Sequence, residues 1–229
     1  MVTAICNEYR LPTDFSALFD RFAEIKIPFR WAQEPSADLK RHVFPKYQTI
    51  ALRPIDPNDP WAGFEGLTMT WGVPITVFDP KKGKPVLRQP NNARDDKIEG
   101  RGWKDAYLNR RCLIPLREFM EWEKPEGYKP GGPIKAIKHT VQLEAALAGE
   151  AEHLAFFPAI WTPATGGDAP GALTVANVTG PPAPDVPFHD RLARLVNLRE
   201  GVAWCDLQGQ GIGPLKVTPP AGTYRVGPA

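Results

Sequence analysis

The chain has 229 residues, with 28 Lys and Arg against 26 Asp and Glu, 42% hydrophobic and 24% charged side chains. That composition describes a soluble globular protein long enough to bury a sizeable core, and a formal charge of +2 excludes a histone-like polycation. The 26 prolines make up about 11% of the chain, twice the usual ~5%, which predicts a loop-rich but folded protein.

From Met1 to Arg10 there is no apolar run of the signal-peptide kind, and no stretch approaches the ~18 apolar residues of a membrane span. A cytosolic location without a membrane partner is expected. A helix is predicted from Thr13 or Asp14, as N-cap, through Phe15, Leu18, Phe19, Phe22 and Ile25, with Pro28 ending it. Short apolar runs then read as strands: Tyr47 to Arg53, Leu67 to Trp71, Arg111 to Ile114, Glu118 to Trp122, Ile134 to His139, Leu154 to Trp161, Leu173 to Val178 and Leu215 to Val217. Two further helices are expected, Gly102 to Asn109 and Arg199 to Leu207. Because strands and helices do not alternate regularly, the fold class is α+β, with a mostly antiparallel, barrel-like sheet and flanking helices. Pro181-Pro182-Ala183-Pro184 is too short for a linker, so residues 1–229 are read as a single domain.

Charge is unevenly distributed. Between Lys81 and Arg117 stand eleven Lys and Arg against four acids, a local +7 that leaves −5 for the remainder of the chain. Such a segment is either a footprint for phosphates or a solvated surface. The three cysteines, Cys6, Cys112 and Cys205, form no C-x-x-C pair and no even disulfide set, so free thiols and no structural metal site are expected.

Glycine-rich phosphate loops, G-x-S-x-G elbows and H-E-x-x-H pairs are missing. What remains is scattered: Cys6, Asn92-Ala93-Arg94, Glu121 within Phe119-Met120-Glu121-Trp122, and His189-Asp190-Arg191. A thiol, a carboxylate in apolar surroundings, an imidazole and an arginine are able to cooperate, although composition does not single them out.

Taken together, Cys6-Asn7, Trp71-Gly72-Val73-Pro74, Asn92-Ala93-Arg94, Arg111-Cys112-Leu113-Ile114-Pro115, Met120-Glu121-Trp122, the Leu154 to Trp161 run and His189-Asp190-Arg191 resemble the SOS-response-associated peptidase (SRAP) family in order and spacing. The likeness covers about residues 6–207. It implies a cleft for single-stranded DNA and an N-terminal cysteine that traps the aldehyde of an abasic site as a thiazolidine. The family name reflects an inferred peptidase activity, which would serve to release the protein's own N-terminus. Cofactors and metals are not implied, and a monomer is expected.

The residues suit that chemistry. Flanked by Met120 and Trp122, the Glu121 carboxyl would be poised to donate a proton near neutral pH and help open the sugar hemiacetal. Without the family likeness, Glu121 reads more readily as an exposed strand glutamate between inward-facing residues. An α-amine is partly neutral at pH 7 and would form the Schiff base before the thiol closes the ring. Ring closure needs amine and sulfur on one residue, which leaves Cys112 and Cys205 as small buried hydrophobes. His189 would exchange a proton with the opened sugar. Asn92 would orient Cys6, and Arg94 and Arg191 would bind phosphates bidentately. Trp71 would stack beside an unpaired base, or else pack in the core.

The sequence departs from the family pattern at several points. Met1-Val2-Thr3-Ala4-Ile5 precedes Cys6, so its nitrogen is tied up in a peptide bond. A start at position 5, removal of the pentapeptide, or loss of crosslinking would each explain this, and one of the first two is favoured. Asn7-Glu8-Tyr9 stands where many members have Gly-Arg, and Leu192 to Leu195 replaces a Met-Pro. Two alternatives to crosslinking remain: a cysteine-type peptidase with Cys6 as nucleophile and His189 as base, and a non-covalent single-stranded DNA-binding module.

Overall fold

The computed structural model describes residues 6–144, 153–163, 172–209 and 211–229. In chain order it holds β1 (Tyr9–Arg10), α1 (Ser16–Glu24), β2 (Phe29–Trp31), β3 (His42–Val43), β4 (Gln48–Pro54), β5 (Phe64–Trp71), β6 (Ile75–Asp79), β7 (Lys84–Arg88) and β8 (Asn92–Arg94). There follow α2 (Lys104–Asn109), β9 (Arg111–Leu116), β10 (Glu118–Glu123), β11 (Ile137–Leu143), β12 (Ala155–Pro163), β13 (Leu173–Gly180), β14 (Leu192–Ala193), α3 (Leu198–Cys205) and β15 (Tyr224–Pro228). No helix among the described residues is long and apolar enough to cross a membrane.

Local signals set the helices. Asp14 accepts a hydrogen bond from the Ser16 N–H at 2.8 Å and so opens α1, which buries Leu18 and Phe22 at a four-residue spacing. Asn197 and Glu200 close a reciprocal capping box at the start of α3.

The strands form a closed ring. Antiparallel pairing runs β13 to β12, β12 to β9, β9 to β4 and β4 to β5, and the ring closes where β5 lies parallel to β13, Thr70 opposite Thr174 and Trp71 opposite Val175. A second sheet has the order β15-β11-β10-β1-β3. The chain passes from ring to second sheet at Arg117, the one residue between β9 and β10. Along β9 and β12 nearly every side chain is buried, as expected of strands covered on both faces. Where the two sheets meet, the Tyr9 ring stands edge-on to Trp71 and Phe157, at centroid distances of 4.7 and 5.6 Å.

The α+β class and the barrel-like sheet agree with the sequence expectation, except at the strands expected from Ile134 and from Leu215. Pro115 and Pro158 lie inside ring strands. Each sits where its strand is paired on one edge only, since β4 meets β9 at Leu113 alone and β13 meets β12 from Ala159 onward. A missing N–H is tolerated there. The strand expected at Ile134 to His139 runs three residues later, past the turn residues around Gly131 and Gly132. The strand expected at Leu215 to Val217 is instead a 3-10 turn, Gly213–Lys216.

That last correction has a cause in the packing. Arg194 is buried and donates from Nε to the Leu215 carbonyl at 3.1 Å and from Nη2 to the Val217 carbonyl at 2.8 Å, so these carbonyls are taken by a side chain rather than by a neighbouring strand. Gly180, at the end of β13, leaves the room: a Cβ there would stand 2.3 Å from Arg194 Nε and 2.4 Å from the Leu215 oxygen. Gly180→Ala is expected to expel the guanidinium from its carbonyls and cost about 3 kcal/mol. A urea midpoint equal to that of wild type would show the turn does not rest on this contact.

Candidate functional site

Two short strands and one loop bring polar side chains to the seam between ring and second sheet. Cys6 stands three residues before the start of β1, which pairs with β10 through Tyr9 opposite Phe119. This register sets Cys6 beside Glu121 although 115 positions separate them in sequence. β8 runs parallel to β13, Asn92 opposite Asn177, and so reaches the same seam from the ring. His189 arrives on the loop between β13 and β14.

Both backbone polar groups of Cys6 are held by side chains. Its N–H donates to Glu121 Oε1 at 3.0 Å, and its carbonyl accepts from Asn91 Nδ2 at 2.8 Å and Asn92 Nδ2 at 3.2 Å. The residue is buried and sits at φ 39°, the left-handed region that L side chains rarely occupy. The second Glu121 oxygen, Oε2, lies 3.1 Å from His189 Nε2 as an ion pair. Both side chains are almost wholly shielded, at 1% and 4% exposure. Burial alone would push the imidazole down, but the Glu121 carboxylate outweighs it by contact and charge, and His189 sits above its usual 6.5. The Cys6 thiol is pushed well up, by burial first and by the Glu121 charge second; its nearest polar neighbour is the Glu8 carbonyl, 3.9 Å from Sγ.

Behind Asn92 runs a buried relay with a fixed sense. The Trp71 indole N–H, which can only donate, binds Asn177 Oδ1 at 3.1 Å; Asn177 Nδ2 then donates to Asn92 Oδ1 at 2.9 Å. Asn92 is thereby turned with its NH2 toward the Cys6 carbonyl. Trp71 and Asn177 are both fully buried.

Cys6, Asn92, Glu121 and His189 therefore converge. The other expected site residues are placed differently. Trp71, read either as a stacking platform or as a core residue, is a core residue whose ring has no open face. Arg94 forks onto Asp96 at 2.9 and 2.7 Å, and this bonding with Arg94 holds the Asp96 carboxyl down to about 2. Arg191 pairs with Asp95, lies 3.7 Å from Asp96 and donates to the Thr179 carbonyl at 3.3 Å. Cys112 and Cys205 are buried free thiols. Within the basic segment, Arg111 is a structural cation, buried against the carbonyls of Tyr107, Trp204 and Asp206.

Three participants were not singled out from the sequence. Asn177 lies in the apolar run Val175-Ala176-Asn177-Val178, and a lone amide there is itself a signal of a buried partner. Asn91 is adjacent to Asn92 and makes the shorter bond to Cys6. Glu8 is buried, with its carboxylate bonded by His42 and Lys138. Among the described residues no three His, Cys, Asp or Glu side chains gather as metal ligands.

A family model described as SOS response associated peptidase (SRAP) matches residues 5–218. No curated protein matches the chain. Three crystal structures are similar in fold. A protein from Bordetella bronchiseptica is 16% identical, with 98% of this chain and 99% of that one covered and a TM-score of 0.65. A phage-related protein from Bordetella bronchiseptica is 14% identical, with 98% and 94% covered and a TM-score of 0.67. A protein from Bacteroides thetaiotaomicron is 14% identical, with 96% and 90% covered and a TM-score of 0.64.

The raised His189 value has a defined consequence for stability. A group protonated more readily in the fold than in the unfolded chain contributes fully below its unfolded value near 6.5, and the contribution is lost as pH rises through the folded value. The stability advantage of wild type over His189→Gln is therefore expected to shrink as pH rises above about 6.5 in urea denaturation. An advantage that grows with pH would contradict the pairing with Glu121.

The relay makes a second prediction. Trp71→Phe keeps an aromatic ring in the core but strands Asn177 Oδ1, at a cost of about 1–3 kcal/mol. Adding Asn177→Leu to Trp71→Phe is expected to cost less than the two changes summed, as read from a double-mutant cycle on unfolding free energies. Strict additivity would mean the two side chains are not coupled.

Proposed function

The chain belongs to the SOS response associated peptidase (SRAP) family, and we propose that it captures abasic sites in single-stranded DNA by forming a thiazolidine through Cys6 once residues 1–5 are removed. The observation that carries this reading is the bridging Glu121 carboxylate, with one oxygen on the Cys6 nitrogen and the other on His189.

The steps balance with these residues alone. A neutral Cys6 amine adds to the ring-opened sugar aldehyde, forming a C–N bond and placing the transferred proton on the former carbonyl oxygen. Loss of that oxygen as water gives the Schiff base. The thiol then adds across C=N, forming the C–S bond while its proton passes to nitrogen, so the net by-product is one water. Glu121 takes the proton from the amine and returns it to the departing oxygen, and His189 delivers a proton to the sugar oxygen as the hemiacetal opens. The amides of Asn91 and Asn92 keep the Cys6 carbonyl fixed, so the nitrogen keeps its aim at Glu121 when the chain before it is gone.

The same geometry disfavours a thiolate peptidase. That mechanism needs imidazole beside sulfur, whereas His189 is engaged by Glu121, and the Cys6 thiol is held neutral by burial and by the Glu121 charge. Release of residues 1–5, by this protein or another protease, is the processing step the proposal requires. Arg94 enters as a phosphate contact only by exchanging Asp96 for a phosphate, since the two acceptors compete for one guanidinium fork.

Processed protein incubated with a single-stranded oligonucleotide holding one abasic site is expected to give an adduct that survives denaturing electrophoresis. Cys6→Ser should abolish the thiazolidine, and Glu121→Gln should slow adduct formation about 10²–10⁴-fold. Normal non-covalent binding without any adduct would overturn the crosslinking reading.

A further inference from the structure

The hairpin formed by β6 and β7 stands apart from both sheets. Its strands pair only with each other, from Ile75 opposite Arg88 to Asp79 opposite Lys84, and none of the other strands extends them. An unsupported two-stranded ribbon contributes little to the core, so its outward face needs another explanation.

The pairing register defines that face. Residues directly opposite one another share a side, so Thr76, Leu87, Phe78 and Pro85 project together. Phe78 is 66% exposed and Leu87 55%, the largest exposures of any aromatic ring in the described structure and of any leucine there. The opposite face turns inward: Ile75 and Val77 are partly buried, and Ile75 Cδ1 reaches within 4.0 Å of where a Gly102 side chain would begin.

Cations crowd the same ribbon. Lys81 and Lys82 lie at the tip, with Gly83 at φ 61° making the turn, and Lys84 and Arg88 lie on β7, on the side of Ile75 and Val77 by register but both exposed at the ribbon's edge. Asp79 is the sole carboxylate between residues 75 and 88, and it is already used, by the Lys81 N–H at 3.0 Å and by Arg88 at 3.4 Å. Lys81, Lys82 and Lys84 make no ion pair among the described residues, in contrast to Arg94 and Arg110 of the same basic segment.

The hairpin is also wired to the site. Two residues after Arg88 come Pro90 and then Asn91, whose amide holds the Cys6 carbonyl, a span of about 10 Å of extended chain. Its base is fixed to the ring by Gln89 Nε2 donating to the Gly72 carbonyl at 3.1 Å and by the Val73 N–H donating to the Pro90 carbonyl at 2.9 Å.

From this arrangement we infer that the Ile75 to Arg88 hairpin is a gripping arm for the single strand next to the reactive cysteine, with Phe78 stacking on a base and Lys81, Lys82 and Lys84 following the phosphates. The inference rests on the DNA reading above and assigns the place where the strand beside the lesion is held. An exposed aromatic with unpaired cations on a narrow ribbon matches a polyanion that offers flat apolar faces at each residue. A folded protein partner would need a wider apolar surface than these two side chains supply.

The test uses the full chain and a fluorescein-labelled single-stranded oligothymidylate without abasic sites, read by anisotropy over a salt series. Substituting Lys81, Lys82 and Lys84 together by Gln is expected to reduce the slope of log K against log salt by about 2, from three phosphates at ~0.7 each. Phe78→Ala is expected to weaken binding about 5- to 100-fold with little change in that slope. All four side chains are exposed, so unfolding midpoints should stay at the wild-type value. If wild type binds the strand and either variant binds it equally at every salt concentration, the arm is overturned while the DNA reading stands. If wild type itself does not bind, the DNA reading fails and the arm with it.

Discussion

One carboxylate organises this site. Glu121 projects from β10 into the seam between the sheets, where an unpaired charge would be costly, and it is met by a hydrogen bond from one amide and an ion-pair contact with one imidazole whose Nε2 is not aligned for a hydrogen bond. The amide belongs to Cys6 and the imidazole to a loop, so the need to satisfy one buried charge positions two segments that are distant in sequence. Hydrogen bonding at both ends also accounts for the left-handed Cys6: its nitrogen is aimed at Glu121 and its carbonyl at two asparagines, and few backbone conformations meet both demands.

Electrostatics divides the basic segment into parts with different work. Arg111 is buried against carbonyls; Arg110 pairs with Asp105, Arg94 with Asp96 and Arg191, farther along the chain, with Asp95. These cations are already partnered, and the local +7 overstates the charge open to a ligand. Among the described residues Lys81, Lys82 and Lys84 on the hairpin make no ion pair, and neither do Lys97, Arg101, Lys104 and Arg117 elsewhere in the segment. A charge sum along sequence cannot make that division, because it depends on which side chains meet in three dimensions.

Much of the fold was legible in the sequence because helices and long strands carry local signals. Phe15 to Ile25, Leu173 to Val178 and the Asn197 to Cys205 region have the periodicity or capping chemistry of the elements they form. The two- and three-residue strands β1, β2, β3, β8 and β14 have no such pattern; pairing partners far along the chain create them. At Leu215 to Val217, β-branched and aliphatic residues suggested a strand, but a buried arginine took the carbonyls first. For the site, Cys6, Asn92, Glu121 and His189 were legible through resemblance to a family, not through spacing, since the contacts join residues 68 to 115 positions apart. Asn177 and Trp71 show the reverse case. Each has a readable local oddity, an amide in an apolar run and a tryptophan before a glycine, but only the fold shows that one orients the other.

The surroundings of the thiol bear on the order of events in the proposed chemistry. The buried Glu8 carboxylate is bonded by His42 of β3 and Lys138 of β11, which tie the chain before β1 to strands on either side of it. Burial, then the charge of Glu121 and more weakly that of Glu8, keeps the Cys6 sulfur protonated, so it is a poor first nucleophile. An amine at Glu121 would feel the same negative charge, which favours its ammonium form, but Glu121 is also placed to take the proton whose loss frees the nitrogen. Once it forms a Schiff base, protonation of the new C=N bond places a positive charge beside the same carboxylates that penalise a thiolate. The field that suppresses sulfur at the start then favours the iminium that sulfur attacks. In the proposed chemistry, two acids that would hinder a cysteine peptidase would favour nitrogen before sulfur on a residue that carries both.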